Sequence, residues 1–397
     1  MTIAIPRGFR FAGVHCGVKR NPNKEDLTLV VSDLPAVAAG VYTRNLVFAA
    51  PVALDRSRTP ADKIHAVVVN SGNANACTGD RGMADAREMA RLAALACGAA
   101  EGEALVMSTG VIGQFLPMDK IAAGIQAASA SLAADEAALK AAARGILTTD
   151  GVTKVAGRSL AIKGAEAHIV GIAKGAAMIG PNMATMLSLI VTDLAMPKEI
   201  AQSTLIAVVD ATFNCISVEG HMSTNDTVLL LANGASEARL EEIDSVITFM
   251  SQLGAVCDDL ATAIVADGEG ATHLVRVRIE ACRSRDDGRR VAKTIAESAL
   301  VKTAIAGGDP NWGRIVSAAG YAGVAFDPAK LSLKLNGHLL YQNGAPVAFD
   351  AAVVSASIKQ NAETLIELFL GTGEERLEFK TTDLTAEYVR LNADYTT

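Results

Sequence analysis

The first part of the chain consists of short apolar runs that are separated by turn residues. Residues 26–33 (DLTLVVSD), 36–43 (AVAAGVYT) and 64–73 (IHAVVVNSGN) have the length and the bounding residues of β-strands. The β pattern returns between residues 159 and 193, where MLSLIVTD at 186–193 is continuous enough for a strand buried on both faces. These segments predict a chain that is rich in strands.

Helical patterns alternate with these strands. Two Ala-rich segments, 83–100 and 119–146, carry charges spaced around them and predict helices. Helical spacing also marks residues 198–216, 241–265, 289–305 and 357–370. Further strands are predicted at residues 226–233 (DTVLLLAN) and 272–280 (THLVRVRIE). The chain is therefore predicted to be a mixed α/β protein, and turn chemistry alone makes residues 193–197 the best candidate for a domain boundary.

Composition and charge exclude several classes of protein. Half of the 397 residues are apolar, the net charge of −7 is mild, and like charges form no long block, so nucleic acid is not expected as a partner. The N-terminal segment carries Arg7 and Arg10 without an apolar core of secretory length, which favours a cytoplasmic protein. The uncharged stretch 175–192 is interrupted by Gly180, Pro181 and Asn182, which argues against a membrane span. The six cysteines form no CxxC pair, so neither a zinc site nor a redox motif is predicted.

The most unusual stretch is KGAAMIGPNMATMLSLIVTD, in which Lys174 and a Gly/Pro/Asn turn lead into Thr185 and an apolar strand. On local pattern alone, a threonine that enters a strand is usually an ordinary β-forming residue. If the peptide bond before Thr185 is cut, however, its hydroxyl becomes a nucleophile and its α-amine, with a pKa of ~7.7–8, becomes the general base. No GxSxG, HExxH or Walker motif offers a rival mechanism.

Other polar segments are weaker signals. MSTGVIG presents Ser108, Thr109 and Gly110 in a turn that could donate hydrogen bonds to an oxyanion. NSGNANACTGD is either a tight turn or an anion cradle, and DGEGAT, with Asp267 and Glu269, is either a solvated loop or a site for an ammonium group or metal. GGDPNWGR favours a rigid turn over a binding site.

The order of these motifs resembles the ornithine acetyltransferase family, the bifunctional glutamate N-acetyltransferases of arginine biosynthesis. The resemblance spans nearly the whole chain and rests on many motifs: PRGFRFAGVHCGVK, VVNSGNANACTG, STGVIG, PNMATML, STNDT, DGEGAT, DPNWGRI and EYVRLNADY. It implies facing β-sheets between helix layers, an αββα architecture of the N-terminal-nucleophile type. It also implies self-cleavage into an α fragment, residues 1–184, and a β fragment, residues 185–397, which associate as α2β2.

The resemblance also assigns roles to individual residues. It implies cleavage between Ala184 and Thr185, Thr185 as the nucleophile, and Thr109 with Gly110 as the oxyanion hole. The implied substrate-binding residues are Lys174, Thr185, Glu269, Asn392 and Thr397, with Gly151 at a usual substrate-binding position. A ping-pong cycle would pass the acetyl group of N-acetylornithine to Thr185 and then to glutamate. No metal or organic cofactor is implied, and acetyl-CoA is a candidate second acetyl donor for a bifunctional enzyme.

Departures from the family pattern leave substrate preference open. Gly151 stands where a substrate-binding threonine is usual, and Gly308 replaces a usual arginine. Glu219, His221 and Met222 replace a common Asp, Asp and Thr. Two alternatives therefore stay open: a related N-terminal-threonine amidohydrolase or acyltransferase with other substrates, and an uncleaved binding protein.

Overall fold

The computed structural model describes residues 3–180 and 186–394. The strands are β1 (Phe9–Val14), β2 (Leu27–Tyr42), β3 (Ala61–Asn73), β4 (Ala104–Val111), β5 (Lys154–Ile162), β6 (Ala165–Lys174), β7 (Leu187–Thr192), β8 (Thr227–Ala232), β9 (Leu274–Cys282), β10 (Ser332–Leu335), β11 (His338–Gln342), β12 (Ala345–Pro346), β13 (Glu363–Phe369) and β14 (Glu375–Thr382). The α-helices are α1 (Ala50–Arg58), α2 (Gly79–Ala96), α3 (Met118–Ala130), α4 (Glu136–Gly145), α5 (Lys198–Ala211), α6 (Ile243–Ala266), α7 (Arg285–Glu297), α8 (Ala299–Gly307), α9 (Trp312–Gly320), α10 (Ala351–Lys359) and α11 (Ala386–Asp394).

The larger sheet folds over on itself at β2. Its strand order is β4-β3-β2-β8-β7-β6-β5, with β1 paired to β2. The pairing of β2 with β3 shifts register between Val31 and Ala36, and the second half of β2 also pairs with β8. One apolar cluster contains Val67 of β3 together with Leu187 and Leu189 of β7, although these strands lie far apart in the strand order. The two halves of the sheet therefore face each other across this cluster.

Helices cover the two outer faces of this sandwich. On one side Met89 of α2 and Ile121 of α3 pack with Val68 of β3. On the other side Phe249 of α6 packs with Ile190 of β7, in a cluster that also includes α5. The layers are helix, sheet, sheet and helix, so the implied αββα architecture is confirmed.

The smaller sheet has its own core. Its order is β12-β11-β10-β13-β9-β14, and Val277 of β9 packs with Val291 of α7 and Ile366 of β13. The change from one sheet to the other falls between α6 and β9. The predicted boundary at 193–197 is wrong, because β7 and β8 on either side of it are hydrogen-bonded neighbours in one sheet.

Three predicted helices have different bounds in the structure. Residues 119–146 form α3 and α4, and the Asp135 carboxylate accepts the backbone N–H of Ala138 at 2.8 Å to begin α4. Residues 289–305 are divided between α7 and α8 at Ser298, which caps α8. Residues 357–370 are not one helix, because α10 ends at Lys359 and β13 alternates buried Thr364 and Ile366 with more exposed neighbours.

Helix α6 is long and apolar enough to cross a membrane by length and composition alone. Its residues Phe249, Leu253 and Leu260 are nevertheless buried in the apolar cluster beneath it, and the helix packs on β5 and β6. Because its apolar side is covered by the sheet, α6 is a core helix of the sandwich.

Candidate active site

The candidate site is built around the connection between β6 and β7. Lys174 is the last residue of β6 and pairs across the antiparallel ladder with Leu187, the first residue of β7. Ala184 and Thr185, the predicted cleavage position and nucleophile, fall in this connection and lie outside the described residues, as does Thr397. Residues 175–180 and Met186 are the described residues on either side of these positions in the chain.

The backbone that leads into this connection is held from several directions. The N–H of Gly175 donates to Asp150 Oδ1 at 2.6 Å. The carbonyl of Ile179 accepts the N–H groups of Val218 at 2.8 Å and Gly220 at 3.0 Å. Met178 has a φ of 55°, a left-handed conformation that is uncommon for a residue with a side chain. Such a conformation persists because the surrounding hydrogen bonds fix it.

Lys174 is buried among carboxylates. The residue is 3 % exposed. Burial lowers the pKa of its ammonium group, while Asp150, Asp226 and Glu269 act in the opposite direction. A buried cation in this position can bind the carboxylate of an amino-acid substrate, because a desolvated ion pair is strong where water is excluded.

An ion-pair network fixes the loop that contains Gly151. Lys154 Nζ donates to Asp150 Oδ1 at 2.8 Å and to Asp267 Oδ2 at 2.6 Å. Burial alone would raise the pKa of Asp150, but Lys174 and Lys154 hold it below its usual range. The N–H of Gly151 donates to Asp267 Oδ2 at 3.0 Å, and an added Cβ would lie 2.9 Å from Asp267 Oδ1. The position at which the family usually has a threonine is therefore closely packed against Asp267.

Glu269 and Asn392 meet beside the same connection. The N–H of Glu269 donates to the carbonyl of Ala176 at 2.9 Å, which ties the DGEG loop to the residues after β6. Asn392 Nδ2 donates to Glu269 Oε2 at 3.0 Å. Helix α11 reaches this position because Gly270 has no side chain, since a Cβ there would lie 2.4 Å from the nitrogen of Tyr388. Two residues that are 123 positions apart in sequence are thus brought together at Glu269.

Thr109 and Gly110 form the end of β4, beside the end of β3. The parallel register places Ser71 opposite Thr109 and Gly72 opposite Gly110. Gly110 has a φ of 136°, and a Cβ on it would lie 2.3 Å from the carbonyl carbon of Gly72. Only glycine allows this close approach, which places a small-residue turn next to Thr109.

A buried loop connects this turn to the start of β7. Asn225 Nδ2 donates to the carbonyl of Ser108 at 2.8 Å and to that of Ala74 at 2.7 Å. The next residue, Asp226, accepts the N–H of Met186 through Oδ1 at 3.1 Å. Two consecutive side chains of one loop therefore bond Ser108, the residue before the predicted oxyanion pair, and Met186, the residue that follows Thr185 in the chain.

Two carboxyl groups at the site were not among the residues implied by sequence. Asp226 is 1 % exposed, and burial raises its pKa well above the usual range, although the Met186 N–H and Lys174 oppose the change. Burial likewise raises the pKa of Glu219 to about 8, with Glu269 adding to the increase. The signal for Asp226 was present in the sequence, where a carboxyl group immediately precedes the apolar run of β8.

No group of three or more His, Cys, Asp or Glu side chains suited to a metal ion occurs within residues 3–180 and 186–394. In particular, Asp267 in DGEGAT is paired with Lys154, and Glu269 is bonded by Asn392. Both carboxylates of this loop therefore have partners among the described residues.

Comparison with known proteins identifies the family. The ArgJ family model matches residues 10–397. The chain is 46 % identical to the arginine biosynthesis bifunctional protein ArgJ of Rhodopirellula baltica, over 99 % of this chain and 96 % of that protein. It is 45 % identical to the ArgJ protein of Geobacter sulfurreducens, over 98 % of this chain and 99 % of that protein. This chain belongs to the ArgJ family.

A solved structure supports the same assignment. The arginine biosynthesis bifunctional protein ArgJ of Bacillus halodurans is 35 % identical and superposes with a TM-score of 0.50. The match covers 51 % of this chain and 96 % of that crystallised chain. The resemblance noted in the sequence motifs is therefore confirmed.

The departures from the usual ArgJ family pattern occupy different positions in the structure. His221 is exposed, and the carbonyl of Met222 accepts Asn45 Nδ2 at 3.2 Å. Gly308 ends α8 with a φ of 66°, and a Cβ there would lie 2.4 Å from Lys359 Cε. Glycine at this position therefore serves as the left-handed cap of a helix in this family member.

Proposed function

We propose that this ArgJ family protein transfers an acetyl group from N-acetylornithine to glutamate through an acetyl-Thr185 intermediate. The products are ornithine and N-acetylglutamate. One observation carries the proposal: Lys174, Glu269 and Asn392 lie together beside the described start of the β6–β7 connection, the segment of the chain to which Thr185 belongs. The names of the curated relatives, which are bifunctional proteins of arginine biosynthesis, support the same activity.

The chemistry proceeds by nucleophilic attack of a threonine hydroxyl. Thr185 Oγ1 attacks the acetyl carbonyl carbon while its proton moves to the α-amine of the same residue. As the amide bond breaks, this proton passes to the nitrogen of the departing ornithine. Glutamate then enters and its neutral amine attacks the acetyl ester. The proton that this nitrogen loses passes through the Thr185 α-amine to Oγ1 as the ester bond breaks, which restores the Thr185 hydroxyl. The Thr109 hydroxyl and the Gly110 N–H are the proposed donors to the oxyanion in both halves of the cycle.

The charged residues recognise the ends of the substrates. The Lys174 ammonium group binds a substrate carboxylate from a buried position, and Glu269, which is partly exposed, binds a substrate ammonium group, because each offers the opposite charge. Asn392 orients the Glu269 carboxylate through its 3.0 Å hydrogen bond. Thr397 completes the proposed substrate-binding set, and Gly151 stands at a position that usually binds substrate in the family.

The same hydroxyl is proposed to cut the chain between Ala184 and Thr185. The fragments 1–184 and 185–397 would both contribute strands to the larger sheet, because β6 and β7 on either side of the cut are paired neighbours. These interstrand hydrogen bonds would keep the fragments together. The matched chain of the Bacillus halodurans protein is about half as long as this one, which supports a two-fragment enzyme. We further propose an α2β2 assembly in the cytoplasm.

The transferase proposal is tested by initial rates at several fixed glutamate concentrations. A ping-pong enzyme gives parallel double-reciprocal lines against N-acetylornithine. Release of free acetate at the same rate with and without glutamate would instead identify an amidohydrolase. Replacing N-acetylornithine with acetyl-CoA in the same assay measures whether the enzyme also catalyses the first acetylation of glutamate.

The proposal also requires no metal or organic cofactor. We expect dialysis against EDTA, followed by assay in metal-free buffer, to leave the acetyl-transfer rate unchanged. Loss of activity that returns on addition of a divalent cation would contradict this expectation.

A further inference from the structure

Two glutamates are held against the same short segment of chain after β6. The N–H of Glu269 donates to the carbonyl of Ala176 at 2.9 Å, and the N–H of Glu219 donates to the carbonyl of Ile179 at 3.3 Å. Tyr388 of α11 lies near both side chains, because Glu219 and Glu269 each add to the increase that burial causes in the pKa of its hydroxyl. Glu219 therefore belongs to the same part of the site as Glu269.

The Glu219 carboxyl group has no partner within the described part of the chain. Both of its oxygen atoms are buried, and neither accepts a hydrogen bond there. The backbones of Ile179 and His221 and the Lys302 ammonium group act on it electrostatically, from outside hydrogen-bond geometry. A buried carboxyl group without a partner is costly unless a ligand uses it. Because the residue as a whole is only partly buried, a ligand can approach it.

The charged groups that surround Glu219 are engaged elsewhere. The Lys302 ammonium group on α8 directs its three N–H bonds to oxygen atoms of the protein, those of the Val218 carbonyl at 2.5 Å, Thr381 Oγ1 at 3.2 Å and Thr382 Oγ1 at 3.0 Å. Glu297 of α7 accepts the Ser217 hydroxyl at 3.4 Å, and Glu269 accepts Asn392. The charge of Glu219 is therefore free to follow the charge of a bound ligand.

The proposed reaction brings opposite charges in turn to the side-chain end of one subsite. N-acetylornithine gives up the acetyl group from its α-nitrogen, and glutamate accepts it on its α-nitrogen, so the two substrates differ at the far end of the side chain. There ornithine carries an ammonium group and glutamate carries a carboxylate. Glu269 attracts the first group and repels the second. A neighbouring group that changes its own charge would allow both to bind.

We propose that Glu219 is a specificity-determining residue that adapts this subsite to both substrates. As a carboxylate it binds the side-chain ammonium group of N-acetylornithine, and as a carboxylic acid it donates a hydrogen bond to the side-chain carboxylate of glutamate. Its proton is released to solvent when the first substrate binds and is taken up from solvent when the second binds, so Glu219 is unchanged over the cycle.

This inference rests on the proposed function, since it requires one subsite to accept both amino acids. Burial raises the pKa of Glu219 to about 8, which makes both forms of the carboxyl group accessible near neutral pH. The family usually has an aspartate at this position, which offers the same chemistry on a shorter side chain.

The test compares N-acetylornithine and N-acetylglutamate as acetyl donors to full-length enzyme, with glutamate and ornithine as the respective acceptors. Both donors react at the same atom, so the ratio of their kcat/KM values cancels the titration of the nucleophile and the concentration of active enzyme. The ratio is measured from about pH 6 to about pH 8.5, an interval in which neither donor side chain titrates.

In the wild-type enzyme the ratio of N-acetylornithine to N-acetylglutamate should rise about 10-fold per pH unit, because one donor requires ionised Glu219 and the other requires protonated Glu219. Glu219→Gln should make the ratio independent of pH and lower kcat/KM for N-acetylornithine about 10- to 100-fold at the alkaline end. Glu219→Asp keeps a carboxyl group and should keep the rise. Glu297→Gln is the matched control, because burial also raises the pKa of this neighbouring carboxyl group, and it should behave as wild type.

A wild-type ratio that does not change with pH would overturn the inference. Equal pH dependence in Glu219→Gln and Glu219→Asp, or loss of the dependence in Glu297→Gln, would overturn it as well. If instead the wild-type protein transfers acetyl from neither donor, the proposed function itself fails, and the two failures are distinguished.

Discussion

Gly110 shows how a single residue shapes the predicted oxyanion turn. Because Gly110 has no Cβ, the backbones at the ends of β3 and β4 come into contact. Its φ of 136° also turns the chain after Thr109. Both features are properties of the backbone, and both follow from the absence of a side chain. The donors of an oxyanion hole must be fixed before the reaction begins, so rigidity at this residue bears on activity.

Substitution of Gly110 by alanine tests this requirement, with Gly113 as the matched control. Gly113 also has a positive φ, of 81°, but a Cβ there would meet nothing within 4 Å. Gly113→Ala should lower the free energy of unfolding by about 1–2 kcal/mol, the usual cost of a left-handed residue. Gly110→Ala adds a collision with Gly72 and should lose about 1–3 kcal/mol more and most of its acetyl-transfer rate. Equal urea midpoints for the two variants would contradict this account.

Glu219 gives a pH-dependent contribution to stability. Burial raises its pKa from the model-peptide value of 4.5 to about 8. Between these two values the folded protein keeps a proton that the unfolded chain has lost, so the free energy of unfolding falls as the pH rises through this interval. The Glu219→Gln variant has no such proton and should gain stability relative to wild type between pH 5 and pH 8, by at most about 4 kcal/mol.

Urea unfolding of both proteins at the two pH values, at fixed protein concentration, measures this difference. Exposed Glu374→Gln serves as the control and should show no change with pH relative to wild type. A Glu219→Gln variant whose stability relative to wild type stays constant over the interval would show that Glu219 is ionised in the folded protein.

At the scale of elements, the site depends on loops that join strands from distant parts of the chain. Lys154 at the start of β5 connects the loop of Gly151 to the DGEG loop after α6, through Asp150 and Asp267. Because Asp150 also accepts the Gly175 N–H, this network reaches the residue that follows Lys174. Removal of Lys154, the central cation of this network, would leave the Asp150 and Asp267 carboxylates facing each other.

Lys154→Met should therefore lower the free energy of unfolding by about 3–5 kcal/mol, the cost of breaking a buried ion pair. The control is Lys163→Met, which removes a 2.8 Å ion pair with Glu242 in which both side chains are more than half exposed. The control should lose at most about 1 kcal/mol. Thermal or urea unfolding measures both losses. If the two variants lose similar amounts of unfolding free energy, the buried Lys154 ion pairs stabilise the protein no more than the exposed Lys163 pair does.

The elements were predicted from sequence with uneven success, for physical reasons. The apolar runs of β3, β7 and β8 were found because a strand inside a sandwich is apolar throughout. Strand β13 was mistaken for helix because Glu363 and Glu367 have helical spacing, although its buried residues alternate with period two. The break between α3 and α4 was missed because its main sequence signal is the capping side chain of Asp135.

The site was predicted less completely than the fold. Lys174, Glu269 and Asn392 came from family resemblance, and the structure places all three beside one connection. Asp226 and Glu219 were not predicted, because their burial depends on contacts with Met186 and Ile179, which are distant in sequence. The local pattern marks Asp226 as a carboxyl group in front of an apolar strand, but it does not show which distant residues bury it.

At the scale of the whole molecule, the αββα sandwich places the β6–β7 connection where α11, the DGEG loop and the loop of Asp226 meet. The two fragments proposed here would be inseparable under native conditions because each supplies strands to the same sheet. The central claim is that Thr185, made N-terminal by cleavage, carries the acetyl group between two amino acids.

The most direct test of that claim is the mass of the protein under denaturing conditions after brief incubation with N-acetylornithine in the absence of glutamate. The account predicts two fragments, 1–184 and 185–397, with one acetyl group on the second fragment that disappears when glutamate is added. A single intact chain, or two fragments of which neither gains an acetyl group, would contradict it.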